Sequence, residues 1–495
     1  MNKKHLESAF DHLSDKHIQE AASYKRPKVL PYMSAIAACL VCAILLSIFA
    51  PKGPAPALTE NPTFSAQSAL PPRPRPELFG DTLTPITFTH VSSPAMLCAP
   101  EYPRMAPYST ESYADWKDTV LQIHQTEPGY AQNLKPFFQK LSSAALAQQY
   151  ENVVFSPLNI YMALAMLAET ASGESRKQIL NLLNAESLDS LRDQAEQLWR
   201  AHYYNDGLAT SVLGSSLWLD EAYSYNEHTV KILAEYYYAS VFQGDIGSAE
   251  LDADLQQWIN DHTGGLLEEQ ASDIQLPDNG ALATVTTIYY QVQWQKKFFK
   301  NMSIAGKFHS PTGDTLVTFM RGCEYYDYFR GNDFSAVALP LEDGSRMWLI
   351  LPDEGTDPQG LLSGGSAMEM ILSSDTSLYT SKLVTLCVPH FDVAADLGMI
   401  NTLKSLGIKD VFSPEKADLS AILPEKGDAY VKEFQHAARL TIDEDGVSAA
   451  AYTLIVDTFR GLLDEPIGLV FDRPFLFVVE SADNLPLFIG TVYEP

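Results

Sequence analysis

The chain has 495 residues, 46% of them hydrophobic, and carries 62 acidic against 34 basic side chains, for a formal net charge of −28. This apolar fraction excludes a disordered chain and predicts one or two domains with sizeable cores. The excess of acid excludes nucleic acid as a partner, because binding to phosphates relies on Lys and Arg.

The first predicted element is a transmembrane helix over residues 29–50. The sequence between Lys28 and Lys52 has no charge, and its length as a helix matches a hydrocarbon core of about 30 Å. Basic residues cluster before it, so the positive-inside rule places residues 1–28 in the cytoplasm and the rest of the chain outside the cell. Two alternatives stay open: a cleaved secretory signal, and lipidation at Cys39, which ends a stretch resembling a bacterial lipoprotein box.

A stalk and a single domain are predicted to follow. Prolines recur in residues 51–113 without apolar periodicity, which favours an extended stalk. In residues 114–495 the pattern becomes globular. A Ser-Pro pair at Ser156 predicts a helix start, while residues 345–352 and 383–393 are typical of strands. Helices in the first third and strands beyond it predict an α+β domain.

No motif for catalysis or metal binding is present in the sequence. The chain lacks GxSxG, HExxH, the Walker loop and GxGxxG. Its five cysteines show neither the paired CxxC spacing of a zinc site nor a disulfide framework. We therefore expect no metal, no cofactor and no enzymatic activity. An unrecognised hydrolase is the alternative, and no motif in the sequence supports it.

One segment combines the properties of a loop and of a buried strand. Residues 443–456 begin acidic, turn at Gly446 and continue through small and apolar side chains, which suits a strand in the middle of a sheet. Residues 457–461 then bring charge and a glycine, which suits an exposed loop open to proteolysis.

In this context the sequence resembles the serpins, and the resemblance covers residues 114–495. The segments that carry it lie in family order at residues 152–175, Trp294, residues 406–420, residues 472–477 and residues 487–490. The resemblance implies a serpin fold of three β-sheets with about eight or nine helices and an exposed reactive-centre loop. We expect the protein to act as a monomer, and to be a membrane-anchored member of bacterial source.

The resemblance assigns two functional parts of the loop. The hinge comprises Glu444, Gly446, Val447, Ser448, Ala449, Ala450, Ala451 and Thr453. Family spacing from Gly446 places the cleaved bond at Arg460-Gly461, although shorter-looped members would place it near Leu463. Odd-numbered hinge residues would face inward after insertion. By the same parity Asp457 would also face inward, where its charge opposes complete insertion.

The resemblance also assigns a region that controls opening of the main sheet. Its members are Ser156, Asn159, Thr286, Trp294 and His436. Thr286 stands where the family usually has Asn, and Asn159 where it usually has Ser. We therefore expect the polar network that controls sheet opening to be rewired in this chain.

Together these assignments imply a suicide-substrate inhibitor of serine proteases. A protease would cleave the loop and remain bound as an acyl-enzyme while the loop enters the main sheet. Arg460 favours a trypsin-like protease as the partner, because a guanidinium matches an acidic primary pocket. The alternative is a serpin-fold protein that no longer inhibits and serves as a surface binding or adhesion module.

Overall fold

The computed structural model describes residues 96–105, 113–146, 150–207, 209–272, 274–276, 280–363, 367, 369–370, 373, 376–425, 429–432, 434–447 and 465–495. All of them belong to the unit formed by residues 70–495. Within these ranges no helix has the length and apolar composition needed to cross a bilayer. The predicted transmembrane segment, residues 29–50, lies outside them.

Ten α-helices are present in the described part of the chain, and three of them have only five or six residues. In chain order they are α1 Tyr113–Ile123, α2 Lys135–Ala145, α3 Pro157–Thr170, α4 Gly173–Leu183, α5 Leu188–His202, α6 Glu227–Tyr236, α7 Ala249–Thr263, α8 Glu268–Ser272, α9 Pro358–Ser363 and α10 Ile400–Ser405. Short 3-10 helices cover Tyr130–Leu134, Lys300–Met302, Thr376–Leu378 and Asp410–Phe412.

The strands are β1 Met96–Cys98, β2 Val153–Phe155, β3 Tyr204–Asn205, β4 Ala209–Asp220, β5 Ala239–Gly244, β6 Leu282–Gln293, β7 Ile304–Ser310, β8 Gly313–Arg330, β9 Phe334–Pro340, β10 Arg346–Pro352, β11 Thr380–Pro389, β12 Phe391–Gly398, β13 Gln435–Ile442, β14 Gly446–Val447, β15 Ile467–Val470, β16 Phe475–Glu480 and β17 Pro486–Val492. The mixture of helices and strands confirms the predicted α+β class.

Helix α3 starts where the sequence predicts. The Ser156 hydroxyl accepts a hydrogen bond from the Asn159 amide at 3.2 Å, and Pro157 occupies the first helical position, where it needs no amide partner. Every residue of α3 is buried. A helix buried on all sides must lie between other layers, and α3 packs between the two sheets, touching β6 and β17.

The described strands form two hydrogen-bonded sheets. The main sheet has eight strands in the order β1-β5-β4-β6-β14-β13-β12, with β3 beside β4. The second sheet has nine strands in the order β15-β11-β8-β9-β10-β16-β17-β2, with β7 beside β8. Three sheets were expected. The difference arises because β8 has 18 residues and pairs with β11 along one part and with β9 along another, which joins two sheets into one ladder.

The main sheet lies between two apolar layers. On its inner face, Ile288 and Val292 of β6 belong to the large core that includes α3. On its outer face, Val285 of β6 packs against a second cluster that contains Trp258 of α7. Alternate residues of β6 therefore face different layers, as expected for a strand covered on both sides.

Residues 96–105, within the segment predicted as a stalk, contact the domain. Strand β1 pairs antiparallel with β5 at the edge of the main sheet. The ring of Tyr102 stacks on Trp199 of α5 with centroids 5.5 Å apart. The contacts of this segment with the domain therefore begin before the predicted boundary at residue 114.

Candidate functional site

The hinge enters the main sheet as a strand of two residues. In β14, Gly446 pairs with Gln293 and Val447 pairs with Val292 of β6, while Val447 also pairs with Ile442 of β13. Val447 is 2% exposed and belongs to the main core. Strand β14 therefore lies between β6 and β13, with the side chain of Val447 on the inner face of the sheet.

Gly446 approaches β6 too closely for any side chain. A Cβ added at this position would lie 2.4 Å from the Val292 carbonyl oxygen and 2.7 Å from the Gln293 Cα. These are backbone atoms, which cannot rotate away. Glycine is therefore required for the hinge to pair with β6.

Trp294 holds the turn that precedes β14. Its indole N–H donates to the Asp443 carbonyl at 2.9 Å, and its backbone amide donates to the Asp445 carbonyl at 3.2 Å. Trp294 is buried, so these bonds are shielded from water. The turn at residues 443–445 is thereby attached to the end of β6.

Glu444 is buried beside two side chains that the sequence analysis did not identify. The Ser303 hydroxyl donates to Oε1 of Glu444 at 2.5 Å, and Nε2 of His390 lies 3.0 Å from the same oxygen. The His390 contact is as short as an ion pair but lies outside ordinary hydrogen-bond geometry. Burial alone would raise the pKa of Glu444, but the Ser303 bond, a backbone hydrogen bond and His390 together outweigh burial and lower the pKa.

Asp445 is also paired. Nζ of Lys300 lies 2.8 Å from its carboxylate and Nζ of Lys297 lies 4.0 Å away. Ser303, His390 and these lysines come from segments distant in the chain from the hinge. No local pattern marks them, although the concentration of lysine at residues 296–300 in so acidic a chain was an available signal.

Beyond Val447, no described strand lies between β6 and β13. A cavity of about 150 Å³ occupies this space, bounded by residues 282–287 of β6 on one side and by residues 429–432, 434 and 437 on the other. We call this space the gap. It reaches both faces of the sheet, since Leu167 of α3 lines it on one side and Leu255 of α7 on the other. A space between two unpaired strand edges, with apolar layers on both faces, is suited to receive another strand.

His436 lies on β13 next to the gap and is neutral. Its Nε2 accepts a hydrogen bond from the Ser156 amide at 2.9 Å. Burial lowers the pKa of His436 to about 4. The structure thus brings Ser156 and His436 together, as two members of the predicted sheet-opening region.

The other members of that region are arranged differently. The Asn159 side chain is buried, with no hydrogen-bond partner for either amide atom among the described residues. Thr286 lies on β6, opposite Ser215 of β4, and lines the gap. Trp294 directly follows the last residue of β6, beside the hinge.

The rest of the predicted loop, residues 448–464, lies outside the described residues. It contains the hinge residues Ser448, Ala449, Ala450, Ala451 and Thr453 and the predicted cleaved bond Arg460-Gly461. The described residues Glu465 and Pro466 lead directly into β15 at the edge of the second sheet.

Comparisons with known proteins give the family. The model of the family "Serpin (serine protease inhibitor)" matches residues 133–495. The chain is 28% identical to Serpin-ZX of Arabidopsis thaliana over 70% of this chain and 93% of the relative. It is also 28% identical to the plasma serine protease inhibitor of Mus musculus, over 70% of this chain and 85% of the relative.

Among solved structures, the native state of the thermophilic serpin Tengpin matches with a TM-score of 0.67 and 24% identity, covering 75% of this chain and 95% of that one. Relatives from a plant and a mammal do not single out the bacterial source that was expected. The family model covers well over half of the chain and agrees with the fold. This chain belongs to the serpin family.

Proposed function

We propose that this serpin inhibits a serine protease by acting as a suicide substrate. The observation that carries the proposal is the two-residue strand β14, which already pairs with β6 and β13 at one end of the gap. The remaining hinge residues can extend this strand into the gap. The non-inhibitory alternative provides no physical reason for a strand that begins there and leaves the space beyond it open.

The reaction begins at the predicted bond. The protease's histidine takes the hydroxyl proton of its serine, whose oxygen bonds to the carbonyl carbon of Arg460, and the bond to the Gly461 nitrogen breaks as the histidine passes that proton to the nitrogen. The product is an ester between Arg460 and the protease. Cleavage frees the strand end, so the loop can enter the gap before water hydrolyses the ester.

The ladder register supports insertion of the hinge residues. Continued from Val447, the register sets Ala449 opposite Tyr290 and Ala451 opposite Ile288 on β6. Small side chains there meet large ones that are already buried. Each inserted residue also gives unpaired backbone groups new partners, at about 0.5–1.5 kcal/mol per hydrogen bond.

Arg460 supports a trypsin-like target, because a guanidinium forms a charge-assisted pair with the acidic group of such a protease's primary pocket. The test is to incubate the protein with trypsin and run a denaturing gel. We expect a covalent complex that survives boiling, and a released C-terminal fragment that begins at Gly461 by mass. The Arg460→Ala variant should lose the trypsin complex. Cleaved bands without a complex would favour the non-inhibitory alternative.

We propose further that residues 29–50 span a membrane and hold this domain on its outer side. The uncharged length of that segment and the basic residues before it support the proposal. The full-length protein should stay in the membrane pellet after washing with alkaline carbonate. Its release into the supernatant would contradict an anchor.

A further inference from the structure

A turn that follows helix α7 lies across the gap and is attached to β6. Helix α7 is capped by Gly264, whose backbone lies against the ring of Tyr289 on β6, so that an added Cβ would be 2.8 Å from Cζ of the ring. Leu267 is buried in the apolar cluster on the outer face of the main sheet, against which Val285 of β6 also packs. We call this the outer cluster. Both contacts hold the turn at residues 264–267 on the β6 side of the gap.

The same turn is bonded to the strand on the other side of the gap. Nη1 of Arg439, on β13, donates to the Leu266 carbonyl oxygen at 3.2 Å. Asp392 of β12 holds the guanidinium in place, since its two carboxylate oxygens accept from Nε and Nη2 of Arg439 at 2.9 and 2.6 Å. Two parallel bonds of this kind fix the orientation of the planar group as well as adding energy. We call the bond between Arg439 and Leu266 the latch.

The two attachments of the turn lie at the same level along the gap. Val292 of β6 and Ile442 of β13 both pair with Val447, and both pairings are antiparallel, so β6 and β13 run in the same direction. Tyr289 lies three residues before Val292, and Arg439 lies three residues before Ile442. The turn therefore reaches from one strand to the other just beyond the end of β14.

Both attachments are also on the outer face of the main sheet. Val285 on β6 and Ala437 on β13 pack against the outer cluster. Side chains an even number of residues apart on a strand share a face, so Tyr289 and Arg439 are on the same face as these two residues. The turn thus spans the gap on the face that α7 covers.

A strand can enter beyond Val447 only if β6 and β13 move apart. Residues of these two strands approach to within 8 Å between Cα atoms. Two strands that flank a third are about 9.5 Å apart, which is twice the spacing of paired strands. The turn is attached to β6 while Arg439 belongs to β13, so the separation breaks the latch.

We propose that Arg439 is a positioning residue for insertion, because its bond to the turn holds β6 and β13 together and sets the rate at which a strand enters the gap. The latch forms only while the gap is narrow. It therefore stabilises the uninserted form relative to the opened sheet, and its loss makes opening faster. This inference rests on the proposed inhibitory function, in which the loop must enter the sheet before the ester is hydrolysed.

Uptake of a synthetic peptide tests the latch without a protease. The probe is an acetylated peptide with the sequence of residues 448–455, and its incorporation into the full-length protein is followed over time by native mass spectrometry. The variant is Arg439→Gln. The matched control is Arg330→Gln, which also removes a partly exposed arginine with two bonds to one aspartate, Asp353, but in the second sheet.

We expect Arg439→Gln to take up the peptide about five-fold faster than wild type, as the loss of one partly exposed hydrogen bond to a charged group would allow. Arg330→Gln should keep the wild-type rate. An unchanged rate for Arg439→Gln, an equal change in Arg330→Gln, or no uptake by any of these proteins overturns the latch.

A second variant shows whether Arg439 acts through the turn. In Gly264→Ala the added methyl group meets the Tyr289 ring, so the turn must move away from β6, which releases the latch from its other side. Gly264→Ala alone should speed uptake, and Arg439→Gln should add nothing to it. If Arg439→Gln is equally effective in both backgrounds, it acts through Asp392 on its own side of the gap, and the latch is overturned.

Trypsin separates this inference from the proposed function. If wild type forms no covalent complex with trypsin but peptide uptake follows the expected pattern, the inhibitory function fails and the latch stands. If wild type forms the complex and Arg439→Gln takes up the peptide at the wild-type rate, the latch alone is refuted.

Discussion

If the proposed inhibition holds, replacement of Gly446 by alanine should turn this protein from an inhibitor into a substrate. The added Cβ would lie 2.4 Å from the Val292 carbonyl oxygen, 2.7 Å from the Gln293 Cα and 3.1 Å from the Trp294 amide nitrogen. A carbon and an oxygen atom that are not covalently bonded come no closer than about 3.3 Å, the short end of weak C–H···O contacts. Strand β14 must therefore move away from β6 by about 1 Å, and no side-chain rotation can relieve the contact.

The expected cost follows from what this movement disrupts. Insertion of a methyl group into a packed site costs about 1–3 kcal/mol. Displacement of β14 also withdraws Val447, which is 2% exposed, and full burial of such a side chain contributes about 1.5–3 kcal/mol. A total of about 3 kcal/mol corresponds to a loss of roughly a hundred-fold in the population of the paired hinge.

The assay is titration of trypsin with each variant, followed by a denaturing gel. We expect Gly446→Ala to give at least ten times less covalent complex per molecule cleaved than wild type, while its circular dichroism stays native. The matched control is Gly468→Ala on β15, where an added Cβ meets no atom within 4 Å. Complex formation by Gly446→Ala at the wild-type ratio would refute the steric argument.

Two further predictions concern pH. Burial lowers the pKa of His436 to about 4, so the unfolded chain binds a proton first, and stability falls as the pH drops below 6.5. In urea titrations, the free energy of unfolding of the wild type should fall by about 2 kcal/mol between pH 7 and pH 5 because of His436, and His436→Gln should not show this loss. Equal losses in both proteins would contradict this prediction. The pKa of Glu444 is lowered, since the Ser303 bond, a backbone hydrogen bond and His390 together outweigh burial. The stabilisation from Glu444 is present above the ordinary Glu pKa of 4.5 and is lost as the pH falls below it. Glu444→Gln should therefore flatten the acid-unfolding curve, and acid-unfolding curves that superimpose would exclude a stabilising role for Glu444.

Local sequence patterns were sufficient for several parts of the fold. The helix start at Ser156 depends on a hydroxyl and a proline adjacent in the chain, so its prediction did not require tertiary contacts. The α+β class follows from the distribution of helical and strand patterns. Family membership follows from many ordered matches along residues 114–495, and the family comparison confirms it.

Other parts depended on contacts between distant segments. The strand predicted over residues 383–393 is interrupted at His390, because β11 belongs to the second sheet and β12 to the main sheet. No local pattern marks a crossing between sheets. The same crossing brings His390 to Glu444, which no spacing along the chain could indicate.

The hinge shows most clearly what the sequence determined and what depended on the tertiary structure. The alternation of side chains along a strand is a local property, and the resemblance to the serpins supplied which residues of the hinge, Val447 among them, would face inward. Which residues would face them depends on the ladder register of β6 and β13, strands far apart in the chain. Only the tertiary structure therefore placed Val447 between β6 and β13 with its side chain in the main core, because those two strands meet through contacts that no local pattern in the chain contains.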